Sequence, residues 1–139
     1  MKTLKLLFPA LFIFIVLFSC SAQSSDNELL SQTNKNAVKV YYFHFTRRCA
    51  TCNAVETESK KALESIYPEQ IQNGRITFLS VNIEETKNKS LAKELKVSGQ
   101  TLLIVKGEKQ TNLTNLAFMY ARSNPKKLKE EIKKAVENL

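Results

Sequence analysis

The 139-residue sequence has no tryptophan and only three glycines, three prolines, three cysteines and one histidine. Each shortage removes a class of chemistry. The glycines stand apart, so there is no glycine loop to cradle a nucleotide phosphate, and no flavin motif is visible. A structural zinc site wants four ligands, mostly Cys and His. His44 and two or three cysteines do not complete one within a single chain unless carboxylates contribute. Long hydrophobic runs are also lacking. The one apolar stretch, Leu6–Phe18, is broken by Pro9 and is shorter than the roughly 20 residues of a membrane span. No internal repeat is present. The formal net charge is +8, but the basic residues are dispersed. Their one dense group, Lys126–Lys134, is interrupted by Glu130 and Glu131. That mixture reads as a solvated helix face. Without interleaved aromatics it does not suggest a nucleic-acid partner.

What is present divides the chain into three. Residues 1–19 read as a leader, with Lys2 and Lys5 giving a positive start before the apolar run. The run ends Leu17-Phe18-Ser19-Cys20, which resembles a bacterial lipobox. The resemblance implies lipidation at Cys20 and a membrane partner reached through that anchor. The alternative is a secretory leader cut near Ala22. Either way the mature chain lies outside the cytoplasm, in the cell envelope, where dithiol chemistry has a role. Residues 20–36 are polar, with Leu29-Leu30 the only apolar pair, and read as a flexible tether. About 16 extended residues reach at most about 50 Å. Residues 37–139 form one domain.

Within that domain, Thr46-Arg47-Arg48-Cys49-Ala50-Thr51-Cys52 joins a strand-like run, Val38–Phe45, to a helix-like run from about Asn53 to Tyr67. Two cysteines three apart at a strand-to-helix junction mark a redox dithiol. The helix N-terminus carries partial positive charge and unpaired N–H groups, and both favour thiolate over thiol. Cys49 is the expected nucleophile and Cys52 the resolving thiol. Arg48, with Arg47 behind it, is placed to stabilise the thiolate. His44 on the strand is either a hydrogen-bonded structural residue or a base. Glu56 shares a helix face with both cysteines. It could take a proton from Cys52, and the solvated reading is preferred. A metal or iron–sulfur carrier and an inert structural disulfide remain alternatives.

The elements follow in order. Val38–Phe45 is almost continuously apolar, as suits a central strand covered on both faces. The next helix offers Val55, Ala62, Leu63 and Ile66 to a core, and Pro68 ends it. A strand is expected at Arg75–Ile83, a short helix at Thr86–Lys96, a strand at Thr101–Lys106 and a paired edge strand at Lys109–Leu113. Ala117–Tyr120 is assigned to core packing without an element. Asn124-Pro125 starts a final helix, with Leu128, Ile132, Val136 and Leu139 at helical spacing.

This order resembles the minimal thioredoxin fold, and the Cys-x-x-Cys falls where that fold puts it. The resemblance implies an α/β, three-layer fold. Its mixed four-stranded sheet has the order β-α-β-α-β-β-α and carries helices on both faces. Val97–Leu103 is similar to the segment leading into the family's third strand. Gln100 then stands where thioredoxins carry a cis-proline facing the dithiol, which makes Gln100 a further site residue. The chain also departs from thioredoxins in Arg48 before the first cysteine, in Ala50-Thr51 between the two, and in Phe43 at the buried acid. More narrowly, Tyr42-Phe43-His44-Phe45-Thr46-Arg47-Arg48-Cys49-Ala50-Thr51-Cys52, with Glu56 following, resembles the nitrophenyl-compound nitroreductase subunits of the ArsF type. That implies an envelope redox protein or reductase subunit as partner. No organic cofactor is required, because the Cys49–Cys52 disulfide carries the electrons. The expected activity is thiol–disulfide exchange, with a redox-silent adaptor or electron-transfer subunit as the alternative.

Overall fold

Seven consecutive residues, VKVYYFH, build β1 (Val38–His44), and all but Lys39 and His44 are buried. Side chains alternate across a strand, so a strand apolar on both faces needs cover on both. The computed structural model of the protein describes residues 36–139. The expected leader, Cys20 and the tether as far as residue 35 lie outside the described residues. After β1 come α1 (Ala50–Ile66), α2 (Pro68–Gln72) and β2 (Ile76–Asn82). A 3-10 turn at Thr86–Asn88 leads into α3 (Lys89–Glu94), then β3 (Thr101–Lys106) and β4 (Lys109–Asn112). The chain closes with α4 (Thr114–Tyr120) and α5 (Pro125–Glu137).

The sheet order is β2-β1-β3-β4. β1 runs parallel to β2 and antiparallel to β3, and β3 and β4 form a hairpin. One face packs Val40, Tyr42, Leu102 and Ile104 against Val55 and Leu63 of α1 and Leu128 and Ile132 of α5, all fully buried. On the other face Tyr41, Phe43, Val81 and Leu103 meet Ala92 of α3. Tyr41 and Phe43 stack there with ring centroids 5.6 Å apart. Two apolar layers therefore enclose one central strand, and β1 is held from both sides. Burying each large side chain contributes on the order of 1.5–3 kcal/mol.

The expected α/β class and mixed four-stranded sheet are present, with two helices more than the expected order. The short α2 opens at Pro68, which ends one helix and starts the next. α4 occupies the stretch that had no assigned element. Leu113, Ala117 and Ala121 recur at helical spacing and are buried, while Met119 is 58% exposed. Its start is fixed by side chains. Asn112 Oδ1 accepts from the Thr114 N–H at 2.9 Å, and Thr114 Oγ1 accepts from the Leu102 N–H at 3.1 Å. The helix expected over Thr86–Lys96 is divided. The Asn88 side chain donates to the Asn82 carbonyl at 2.8 Å, and the Asn88 N–H bonds back three residues to Glu85. That spacing makes the first turn a 3-10 turn. β2 and β4 are also slightly shorter than expected. α5 begins as expected, with Asn124 Oδ1 accepting from the Lys127 N–H at 3.1 Å.

The end of α3 holds the one non-glycine residue of positive φ among those described, Lys96 at +56°. The Val97 N–H reaches the Ala92 carbonyl and the Lys96 N–H that of Lys93, while Val97 packs in the same apolar cluster as Ala92. This is a Schellman ending, whose left-handed position favours glycine. Lys96→Gly should relieve more strain than it adds in unfolded-chain entropy. The expected gain is about 0.5–1 kcal/mol, read as a higher urea midpoint at unchanged slope.

Candidate redox site

β1 ends at the end of the sheet from which α1 departs; the five residues between end in Cys49, and Cys52 follows in the first turn of α1. α1 starts at Ala50, three residues before the expected start, so Cys49 is itself the N-cap. Its backbone is extended, with φ −82° and ψ 166°. Its Sγ accepts the Cys52 N–H at 3.1 Å, while Cys52 Sγ accepts the Cys49 N–H at 3.1 Å. This is a capping box with sulfur in place of oxygen. The first turn of a helix has N–H groups with no partner inside the helix, and here two of the local N–H donors point at sulfur. Cys49 and Cys52 are joined as a disulfide with Cα atoms 5.0 Å apart. The two sulfurs are unequal in access: Cys49 is exposed and Cys52 is 3% exposed.

The loop that delivers Cys49 is fastened to the end of β2. The Thr46 N–H donates to Glu84 Oε2 at 2.7 Å, and Asn82 Nδ2 donates to Thr46 Oγ1 at 2.9 Å. The Glu84 N–H donates in turn to Asn82 Oδ1 at 3.0 Å. Hydrogen bonds from Thr46 hold the Glu84 carboxyl below its ordinary value. Neither Asn82 nor Glu84 stands out in the sequence. Both lie more than thirty residues from Thr46, and only the pairing of β1 with β2 brings them there.

The other expected site residues divide. Arg48 precedes Cys49, yet its guanidinium turns back along α1. It pairs with Glu56 and lies over the Tyr42 ring, Cζ 5.4 Å from the centroid. Glu56 is therefore not the solvated residue expected. The two side chains are 21% and 25% exposed. Burial pushes the Glu56 carboxyl up, but hydrogen bonds from Ser80 and Arg48, with the charges of Arg48 and His44, outweigh it. The net effect holds Glu56 below the usual value. A carboxylate so held is a poor proton acceptor at neutral pH. His44 spends its Nδ1–H on the Phe45 carbonyl at 2.9 Å, and its ring is 5.9 Å from that of Tyr42. This is the hydrogen-bonded structural reading of His44. Arg47 is exposed. Gln100 precedes Thr101, which pairs with Phe43, so it lies at the same sheet end as the dithiol. It is half-buried, with Oε1 enclosed by protein and lacking a hydrogen-bond partner, and the described residues contain no cis peptide bond. Among the described residues, no three His, Cys, Asp or Glu side chains gather as a metal-holding group.

A mixed sheet of order β2-β1-β3-β4 with a Cys-x-x-Cys disulfide capping the helix after β1 is the thioredoxin-like arrangement. Among solved structures, the chain is similar to a thioredoxin of Fasciola hepatica at 22% identity, covering 79% of this chain and 91% of that one, with a TM-score of 0.47. It is similar to oxidised mitochondrial thioredoxin 3 of Saccharomyces cerevisiae at 22% identity, covering 78% and 88%, with a TM-score of 0.46. A mutant thioredoxin of Halobacterium salinarum is 20% identical over 79% of this chain and 84% of its own, with a TM-score of 0.49. No family model and no curated protein matches the chain.

Two outcomes are expected of this geometry. In the reduced protein at neutral pH, an alkylating agent should label Cys49 well before Cys52, because Cys49 is exposed and faces helix N–H donors. Peptide mapping of partly alkylated protein checks this, and faster labelling of Cys52 would reverse the roles. The depressed Glu56 carboxyl should stabilise the fold above its unfolded value of 4.5. That contribution is lost as pH falls through the lower folded value. Glu56→Gln should therefore cost stability at pH 7 and progressively less as pH falls through the folded value, which melting across an acid pH series compares.

Proposed function

We propose that the protein is an envelope thiol–disulfide oxidoreductase, held to a membrane through Cys20 and working on a protein partner. The observation that carries the reading is the reciprocal capping of α1 by two sulfurs of unequal exposure. In the reducing direction, Cys49 thiolate attacks one sulfur of the partner's disulfide. That S–S bond breaks, and the departing thiolate takes up a proton. Cys52 then gives up its proton and attacks Cys49 Sγ, releasing the partner as two thiols. The net transfer is two electrons and two protons, and the Cys49–Cys52 disulfide remains. The oxidising direction is the same sequence reversed. Helix N–H groups at Cys49 favour the thiolate that attacks and the thiolate that leaves.

The segment Tyr42–Glu56 resembles the ArsF-type nitroreductase subunits, and so the proposed partner is a reductase subunit or another envelope redox protein. Gln100 in place of proline gives the surface beside the dithiol a different contour from that of thioredoxin. General disulfide substrates such as insulin should be reduced poorly.

The test is equilibration of the described domain with glutathione buffers, followed by capture with Cys52→Ala. A reversible couple between about −270 and −120 mV is expected, the span of dithiol oxidoreductases. A mixed disulfide through Cys49 to a defined envelope protein should follow. A potential below about −300 mV would mark a structural disulfide and end this reading. Intact partner binding without exchange would select the adaptor instead.

A further inference from the structure

Arg48 is the cation nearest the nucleophile in sequence, and the structure does not leave it to the sulfur. Its guanidinium is bound to Glu56 and spread over the Tyr42 ring. Glu56 comes from the next turn of α1 after Cys52, and side chains four apart on a helix lie one above the other, leaning toward the N-terminus. The carboxylate therefore leans back over the dithiol turn to meet an arginine arriving from the loop before it. Three elements close around this pair. β1 supplies Tyr42 and His44, β2 supplies Ser80, paired with Tyr42 in the sheet, and α1 supplies Glu56 itself. A surface ion pair contributes little, but this one is about three-quarters buried, where charges are less screened by water.

We infer that Arg48 and Glu56 are a matched pair of charges that set the redox poise of the Cys49–Cys52 dithiol by cancelling at the sulfurs. Both are positioning residues, acting through the cysteines. Arg48 alone would favour thiolate and so stabilise the reduced form. Glu56 alone would oppose it. Paired, they leave the capping N–H groups of α1 as the dominant influence on Cys49. This deepens the redox reading above and rests on it for its physiological meaning.

The consequence is a sign rule. The readout is the exchange of dithiol with oxidised glutathione to give the disulfide and two glutathione thiols. Glu56→Gln releases the arginine charge, stabilises thiolate, and should make the couple more oxidising by about tenfold in that equilibrium, or about 30 mV. Arg48→Gln leaves the carboxylate uncompensated and should move it about as far the other way. The double variant should return close to the wild type, and Arg48→Lys should hold near it by keeping the charge. The Cys49 thiol pKa, followed by thiolate absorbance, should fall in Glu56→Gln and rise in Arg48→Gln. Far-ultraviolet circular dichroism checks that each variant is folded. If one single variant does not fold, the other together with Arg48→Lys still decides the sign. A pair that only clamps the loop would move both single variants in one sense, or neither, and that result overturns the inference. A wild-type dithiol that does not exchange with glutathione would instead overturn the redox reading, while the thiol pKa values would still test the charge pairing.

Discussion

The donors at the start of α1 are the constraint on which the rest depends. A helix of seventeen residues begins with N–H groups that have no partner within it. Most proteins satisfy them with the oxygen of Ser, Thr, Asp or Asn. Here sulfur takes that place twice, and the capping group and the reactive group are the same atoms. Any chain that folds this helix must bring a cysteine to its positive end, and any change in the sulfur's charge acts on the helix terminus.

The surrounding structure keeps that terminus in place. β1, buried on both faces, fixes where the preceding loop begins. The bonds that Thr46 donates to Glu84 and accepts from Asn82 fix its course. The Arg48–Glu56 pair ties the residue before Cys49 to the second turn of α1. Phe43 contributes apolar packing on the opposite face, and Gln100 arrives with β3 at the same end of the sheet. The site thus draws on β1, β2, β3 and α1, although its chemistry is confined to four consecutive residues.

Much of this was legible before folding was considered. β1 declares itself by an almost continuous apolar and β-branched run, and α5 by Leu128 and Ile132 behind Asn124-Pro125. The dithiol is legible because its parts are local: a strand, a Cys-x-x-Cys and a helix read in sequence order. α4 was obscured because Leu113, Ala117 and Ala121 stand among other apolar residues that blur their period. The partner of Glu56 was missed because helical spacing relates it to Cys52, whereas Arg48 comes from outside the helix. Asn82 and Glu84 carry no local signal, since their role exists only once β1 and β2 pair in register. Contacts within one element are written in its periodicity; contacts across the sheet depend on which strands become neighbours.

The disulfide closes a ring of only four residues. On the chain-entropy model a ring that small stabilises a fold by about 2 kcal/mol, no more than the loss of one buried leucine side chain. Tertiary structure is supplied instead by the two apolar layers on either side of β1. Opening the bond leaves those layers in place, so reduction is a local event rather than a step toward unfolding. An interacting molecule can then sense the oxidation state only at the exposed sulfur of Cys49 and the surface immediately around it.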